Sequence, residues 1–162
     1  FFGDQADKYR FAHLQEALML VPFGTAVDEF QHICYGNPNL TPKERTLEWK
    51  KLEEIYMPWR KYDADDFFDR GGFWYHKLHI FLYPFYYINY ILTTMGAMEL
   101  AAKNRDNHEK TWEDYLRLCK CGGSMSYLET LKAAELSVPF EEGSVKRAVE
   151  YIEGVLLGKK EE

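Results

Sequence analysis

The sequence has 162 residues and a net charge of -6, and 17% of its residues are aromatic. This length is typical of one domain, which buries roughly two-thirds of the surface that its unfolded chain would expose. The negative charge argues against nucleic acid and anionic membrane surfaces as partners. No apolar run reaches the ~20 residues of a membrane-spanning helix. Three cysteines without a pairing pattern favour a reducing compartment.

Apolar residues recur at spacings of three and four along the N-terminal half, which predicts helices. The first helix is expected from Asp7 to Val21. The segment Pro22-Phe23-Gly24 is expected to interrupt it before a second helix from Ala26 to Cys34. Thr41-Pro42-Lys43-Glu44 has the form of a capping box, so a third helix should start there and run to Tyr56.

The same periodicity continues through the C-terminal half. A long buried helix is predicted from Phe85, directly after a proline, to about Lys103. Another is predicted from Asn107 to Lys120, ended by Gly122-Gly123. Ser126-Tyr127-Leu128-Glu129 is a second capping box, and Ser144 is expected to cap the last helix. The fold class predicted from these patterns is all-α, with six to eight helices.

The stretch from Gly71 to Tyr90 contains two histidines and five tyrosines. Both residue types have an apolar body and a polar tip, which suits a cavity where a polar ligand meets an apolar wall. An aromatic helix pair whose polar tips reach water is the alternative. His76 and His79 would share one face if this segment is helical.

Three tyrosines of this stretch, Tyr83, Tyr86 and Tyr90, follow one another at spacings of three and four. A neutral tyrosine hydroxyl can donate a hydrogen bond to an oxyanion that develops when water attacks a carbonyl group. Histidine adds a second donor or a proton carrier. The stretch is therefore a candidate for hydrogen bonding to a substrate.

Metal-binding patterns in the sequence are incomplete. The segment from Asp28 to His32 has the spacing of the zinc motif His-Glu-x-x-His, but aspartate replaces the first histidine. A polar helix face explains the same residues. Two histidines at His76 and His79 lack a third ligand, and Cys119-Lys120-Cys121 lacks a second pair. No metal site is predicted in this chain.

Six stretches carry a family resemblance: Phe2 to Arg10, Val27 to His32, Met57 to Arg60, Gly71 to Trp74, His79 to Tyr90, and Trp112 to Cys119. They resemble the C-terminal part of oligoendopeptidase F, a bacterial cytoplasmic zinc metallopeptidase of the thimet-oligopeptidase-like group. The resemblance extends over essentially the whole chain. The start at Phe1 rather than at a methionine agrees with a piece of a longer protein.

The resemblance implies that residues 1–162 are a single helical segment, the C-terminal portion of a zincin-like oligopeptidase catalytic domain that lacks the His-Glu-x-x-His segment. The full-length protein would use zinc to hydrolyse short peptides. Its missing N-terminal part would hold the zinc and the general base. The isolated chain is expected to bind no zinc and to be inactive, and the location is expected to be cytoplasmic.

The resemblance also implies roles for individual residues. The catalytic, transition-state-stabilising candidates are His79, Tyr86 and Tyr90, and the substrate-binding candidates are His76, Tyr83 and Tyr87. Which tyrosine donates to the oxyanion stays open. The alternative function is a non-catalytic helical module that binds peptides or a protein. A homodimer through the surface that the missing part would cover is a further expectation.

Overall fold

The computed structural model of the protein describes residues 1–63 and 66–157. Over these residues the fold is all-α, as predicted, with eight α-helices and no β-strand. The helices are α1 (Ala6–Gly36), α2 (Pro42–Tyr56), α3 (Asp66–Asp69), α4 (Leu78–Leu82), α5 (Ile88–Asp106), α6 (His108–Cys121), α7 (Tyr127–Ala133) and α8 (Ser144–Leu156). Short 3-10 helices occupy Gly3–Gln5 and Gly72–His76. Within the described ranges, no helix combines the length and the apolar character that crossing a membrane requires.

The predicted interruption at Pro22 is wrong, because α1 continues through this residue as one helix of 31 residues. A proline inside a helix removes one backbone hydrogen bond and crowds the preceding turn. Burial outweighs that cost here, since Ala26, Val27 and Phe30 on the following turns are completely inaccessible to solvent. Tertiary packing therefore decides the continuity of α1 against the local sequence preference.

Both predicted capping boxes are confirmed. At the start of α2, the Glu44 backbone N–H donates to the Thr41 hydroxyl (3.3 Å), and the Thr41 N–H donates to the Glu44 carboxylate (2.7 Å). Ser126 and Glu129 exchange the same two bonds at the start of α7, at 3.4 and 2.9 Å. Each box satisfies backbone donors that a helix start leaves unpaired.

Two predicted helix starts are wrong. The helix predicted from Phe85 begins at Ile88, because residues 83–87 form a turn in which Phe85 has a left-handed backbone (φ +58°). Ser144 does not cap α8. It is the first residue of that helix, its hydroxyl donates to the Pro139 carbonyl (2.6 Å), and Gly143 takes the capping position with φ +79°.

The chain divides into two compact units. The central unit comprises Met19–Ile91, and the terminal unit comprises Phe1–Leu18 with Leu92–Glu162. The core of the central unit contains a cluster of aromatic rings: the Phe30 ring meets the rings of Trp49 and Trp74, with centroids 5.4 and 5.1 Å apart. Aliphatic residues such as Val27, Leu52 and Ile91 complete this core.

In the terminal unit a small core forms around α7. Leu131, Ala134 and Leu136 are buried there. A partly buried hydrogen bond supplements the apolar contacts, because the backbone N–H of Ser137 donates to the Glu99 carboxylate on α5 (2.9 Å). The segment after α7 is thus fixed to α5 by a charge-assisted hydrogen bond.

Candidate functional site: a histidine surrounded by four tyrosines

A glycine turn leads into the segment that carries the candidate residues. Gly71 has φ +97°, and a Cβ atom at this position would lie 2.4 Å from the Thr46 carbonyl oxygen on α2. Only glycine fits so close an approach without moving the backbone. Lys50 of α2 adds a hydrogen bond from its ammonium group to the Asp69 carbonyl oxygen (2.7 Å). The start of the Gly72–His76 helix is therefore fixed against α2.

The turn over residues 83–87 reverses the chain after α4. Its left-handed residue, Phe85, packs its ring near His32 (4.8 Å between centroids) and Tyr35 (5.3 Å), both on α1. The Asn89 side-chain amide donates to the Tyr86 carbonyl oxygen (2.8 Å), which ties the turn to the first residues of α5. The turn thereby brings three tyrosines of its own, and Tyr90 on α5, next to α4.

The rings of four tyrosines surround His79 on α4. The centroid distances from the imidazole are 5.0 Å to Tyr87, 5.8 Å to Tyr83, 5.8 Å to Tyr90 and 6.3 Å to Tyr86. We call these five residues the His79 cluster. The structure thus brings together all three predicted catalytic residues and two of the three predicted substrate-binding residues.

The members of the His79 cluster differ in exposure. Tyr83, Tyr86 and Tyr90 are exposed, with 54%, 49% and 41% of their surfaces accessible, whereas Tyr87 is buried. The Tyr87 ring packs against Phe23 and lies under the Lys77 ammonium group, 4.2 Å from it. Of the three exposed tyrosines, Tyr90 packs its ring against the buried Tyr87 ring, with 5.4 Å between centroids.

A hydrogen bond links two exposed hydroxyl groups of the cluster. The side chains of Tyr86 and Tyr90 bond to each other, and this bond raises the pKa of the Tyr90 hydroxyl above its usual value. Tyr90 therefore stays neutral throughout the physiological pH range. A neutral hydroxyl beside an imidazole can donate a hydrogen bond to a carbonyl oxygen or to an oxyanion without itself changing charge.

His76 lies apart from this arrangement. It ends the Gly72–His76 helix, whereas His79 belongs to α4, so the expectation that one helical face carries both histidines is wrong. The exposed His76 ring contacts Phe73, at 5.5 Å between centroids. Within the part of the chain that the structure describes, no ring contact joins His76 to the cluster.

The described residues do not provide a set of zinc ligands. Asp28 and His32 form only a pair, with 3.4 Å between Oδ2 and Nε2. Over residues 1–63 and 66–157, no group of three histidine, cysteine or acidic side chains lies close enough together to hold a metal ion. This donor set does not fit zinc, which proteins bind through three or four such ligands.

Sequence reasoning missed two contributors to the site. Lys77 places its ammonium group over the Tyr87 ring, and Phe85 adopts the left-handed conformation that turns the chain. Neither carries a local signal, because lysine is ordinary on a surface and phenylalanine is rare at positive φ. The one signal for Lys77 is that it is a cation within an aromatic stretch, where a cation–π contact can form.

Comparison with known proteins gives structural matches. No protein-family model and no curated protein sequence matches the chain. A crystal structure described as an oligoendopeptidase F matches 96% of the chain with a TM-score of 0.91 and 46% identity. PZ peptidase A, solved with an inhibitor, matches 98% with a TM-score of 0.92 and 46% identity. An oligoendopeptidase F from Bacillus anthracis matches 98% with a TM-score of 0.78 and 40% identity.

The chain matches the C-terminal part of oligoendopeptidase F. It spans about a quarter of the length of these proteins, namely 28%, 28% and 25% of them. The match to oligoendopeptidase F includes both compact units, since it covers nearly the whole chain. It confirms the family resemblance that the six sequence stretches indicated.

Proposed function

We propose that this chain is the substrate-facing part of a metallopeptidase of the oligoendopeptidase F type, which hydrolyses short peptides. The observation that carries the proposal is the His79 cluster, in which one imidazole contacts four tyrosine rings and three of the tyrosines are exposed. The names of the matching proteins, which describe peptidases, support the same reaction class.

The cluster would act on the carbonyl group of the scissile peptide bond. When water attacks that carbon, the carbonyl oxygen gains negative charge. Fixed hydrogen-bond donors stabilise this oxyanion more than they stabilise the neutral carbonyl group. Tyr90 and Tyr86 are the proposed donors, and His79 adds a second donor or carries a proton. Tyr83 would contact the peptide beside the reacting bond.

The sequence predicts Tyr87 as a substrate-binding residue, but its side chain is buried, so we propose a positioning role for it instead. Its ring lies between His79, Phe23 and the Lys77 ammonium group, which limits the orientations open to the imidazole. His76 would contact the peptide away from the cluster, because its ring lies beside Phe73. The zinc and the general base of the reaction would come from the rest of the protein, and a cytoplasmic location and homodimer formation stay predictions.

A chimera tests the proposal. In it, this chain replaces the matching segment of PZ peptidase A, and cleavage of an internally quenched fluorescent peptide is followed with zinc present. Unaltered PZ peptidase A is the control for assay and metal loading. We expect the chimera to cleave the peptide and the isolated chain to leave it intact. A His79→Ala chimera that folds should lose most of the turnover.

Two results would contradict the proposal. One is a chimera that folds, contains zinc and does not cleave the peptide. The other is full turnover after removal of the His79 imidazole. If an inactive chimera still bound the labelled peptide, as measured by fluorescence anisotropy, the non-catalytic peptide-binding module would replace the peptidase as the better description of this chain.

A further inference from the structure

Helix α6 of the terminal unit carries a row of exposed apolar side chains. Trp112, Tyr115, Leu116 and Cys119 are all exposed. They occupy positions i, i+3, i+4 and i+7, which lie on one face of a helix. We call these four residues the α6 stripe. This spacing is the one that helices use when they pack against another helix.

The α6 stripe lies on a different side of the helix from the core. Asp114 is buried, and Leu118 packs on the small core around α7. On the stripe, by contrast, the Trp112 and Tyr115 rings lie 5.4 Å apart between centroids, with 53% and 41% of their surfaces accessible. Exposed apolar patches mark interaction sites, and Trp and Tyr are enriched among interface residues. The stripe therefore indicates a surface that another protein covers.

Unpaired charges follow one edge of the stripe. Glu109, Glu113 and Lys120 are exposed, and none of them forms an ion pair with any residue whose structure is described. Together with Leu116 they follow one another at spacings of four, three and four, which places them along one side of the helix. Two negative charges therefore lie toward the start of this edge, and a positive charge lies at its end.

This order of charges is complementary to itself when the helix direction is reversed. A two-fold axis between Tyr115 and Leu116 sets two copies of α6 antiparallel and brings the same edge of each copy together. Lys120 of one protomer then lies opposite the turn between Glu109 and Glu113 of its partner, because both are equally far from the axis. A second copy of the chain thus supplies the matching charges by symmetry alone.

We propose that α6 is a homodimer interface in which two α6 stripes pack antiparallel about this axis. Tyr115 and Leu116 of both protomers meet at the centre, and Trp112 of each protomer covers Cys119 of the other. Such an interface uses the same patch on both chains, so assembly ends at two copies. No member of the His79 cluster belongs to α6, so the inference is independent of the proposed peptidase function.

Sedimentation-velocity ultracentrifugation of the chain over a range of concentrations tests the interface. We expect a reversible equilibrium between monomer and dimer. Trp112→Ala should weaken the dimer by about a hundredfold, because interface tryptophans often carry much of the binding free energy. Trp59→Ala is the matched control and should dimerise as the wild type does, since Trp59 is also half exposed but lies outside α6. Circular dichroism checks that both variants are folded.

Charge reversal tests the antiparallel register. Lys120→Glu brings like charges together on both sides of the two-fold axis and should weaken the dimer by about tenfold. Lys132→Glu makes the same change at an exposed position of α7 and should have little effect. Adding Glu109→Lys and Glu113→Lys to Lys120→Glu reverses every pair and should restore the dimer.

Four results would overturn the proposal. The first is a chain that stays monomeric at every concentration. The second is a dimer that Trp112→Ala leaves intact, since another surface would then hold the protomers together. The third is an equal effect of Lys120→Glu and Lys132→Glu, and the fourth is a folded triple variant that does not recover dimer formation.

Discussion

Two clusters of polar side chains, one in each compact unit, differ in whether their polar groups are buried or exposed. In the terminal unit, the carboxylate of Asp114 is completely buried and meets the ammonium group of Lys103 at 2.9 Å, that of Lys110 at 3.7 Å, and the guanidinium group of Arg117. In the central unit, the His79 cluster leaves three of its tyrosines exposed. The terminal unit pairs a buried carboxylate with three cations, and this is the inward cluster. The His79 cluster has tyrosine hydroxyl groups at the surface.

A second carboxylate joins the inward cluster. Glu135 lies 2.9 Å from Lys110 and 3.2 Å from Arg117. Hydrogen bonding to Lys103 lowers the pKa of Asp114, and hydrogen bonding to Lys110 lowers the pKa of Glu135. Because its charges are satisfied within the protein, this cluster serves the fold, whereas donors at the surface can serve a ligand.

The largest effect is expected from the tyrosine hydroxyls. In the PZ peptidase A chimera, Tyr86→Phe or Tyr90→Phe should lower turnover by about a hundredfold for the residue that donates to the oxyanion, which corresponds to about 2.7 kcal/mol. Steady-state cleavage of the quenched peptide measures this loss. Thermal stability should hardly change, since Tyr86 and Tyr90 are exposed. Tyr9→Phe, at an exposed position outside the His79 cluster, is the control, and full turnover in both test variants would move the role elsewhere.

Replacing the buried carboxylate of Asp114 should change the stability of the protein. Asp114→Ala should lower the free energy of unfolding by about 2 kcal/mol, because charge-assisted hydrogen bonds are lost and three cations are left together. Urea denaturation followed by circular dichroism measures the change. Asp7→Ala is the control, since Asp7 also pairs with an arginine, Arg10 (2.7 Å), but lies on the surface. Equal effects of the two substitutions would remove burial as the reason.

Acid should weaken the same cluster. A folded-state pKa that is lower than the unfolded value means that ionised Asp114 stabilises the protein above about pH 4. That contribution decreases as the pH falls through the lower folded-state pKa. The difference in unfolding free energy between wild type and Asp114→Asn should therefore be constant from pH 7 to 5 and shrink below pH 4. A difference that persists unchanged at pH 3 would speak against the ion pairs as its source.

The smallest effect should be the same in both units. Thr41→Ala at α2 and Ser126→Ala at α7 should each lower the unfolding free energy by about 1 kcal/mol, because each removes the side-chain acceptor of a capping box. Chemical denaturation again provides the measurement, and Thr41→Ser should retain nearly full stability. If only one of the two alanine variants lost stability, the units would differ in more than their polar clusters.

Local sequence signals predicted most of the fold. Capping boxes at Thr41 and Ser126, and the glycines after α6, act over a few residues, and the structure has helix ends at each of them. The predicted interruption at Pro22 is wrong because the hydrogen bond that proline removes is a local effect. The compensating burial of Val27 and Phe30 depends on the folded central unit. Helix continuity is a tertiary property at that position.

The candidate site was predictable in its members but not in its geometry. The spacing of Tyr83, Tyr86 and Tyr90 suggested a shared wall on a helical path, whereas the structure places them next to His79 through a turn. Nothing local marks Phe85 as left-handed, and the position of the Lys77 ammonium group over the Phe23 ring depends on α1. Contacts between residues distant in sequence determine both features.

The left-handed backbone of Phe85 makes this position suitable for changing the rigidity of the turn by substitution. Glycine would adopt φ +58° more easily, so Phe85→Gly would relieve backbone strain. The same substitution would remove the ring and its contacts with His32 and Tyr35. The backbone conformation at this position therefore favours glycine, whereas the ring contacts favour phenylalanine. A designer could use it to tune how rigidly Tyr86 and Tyr90 are presented while leaving every polar group of the cluster in place.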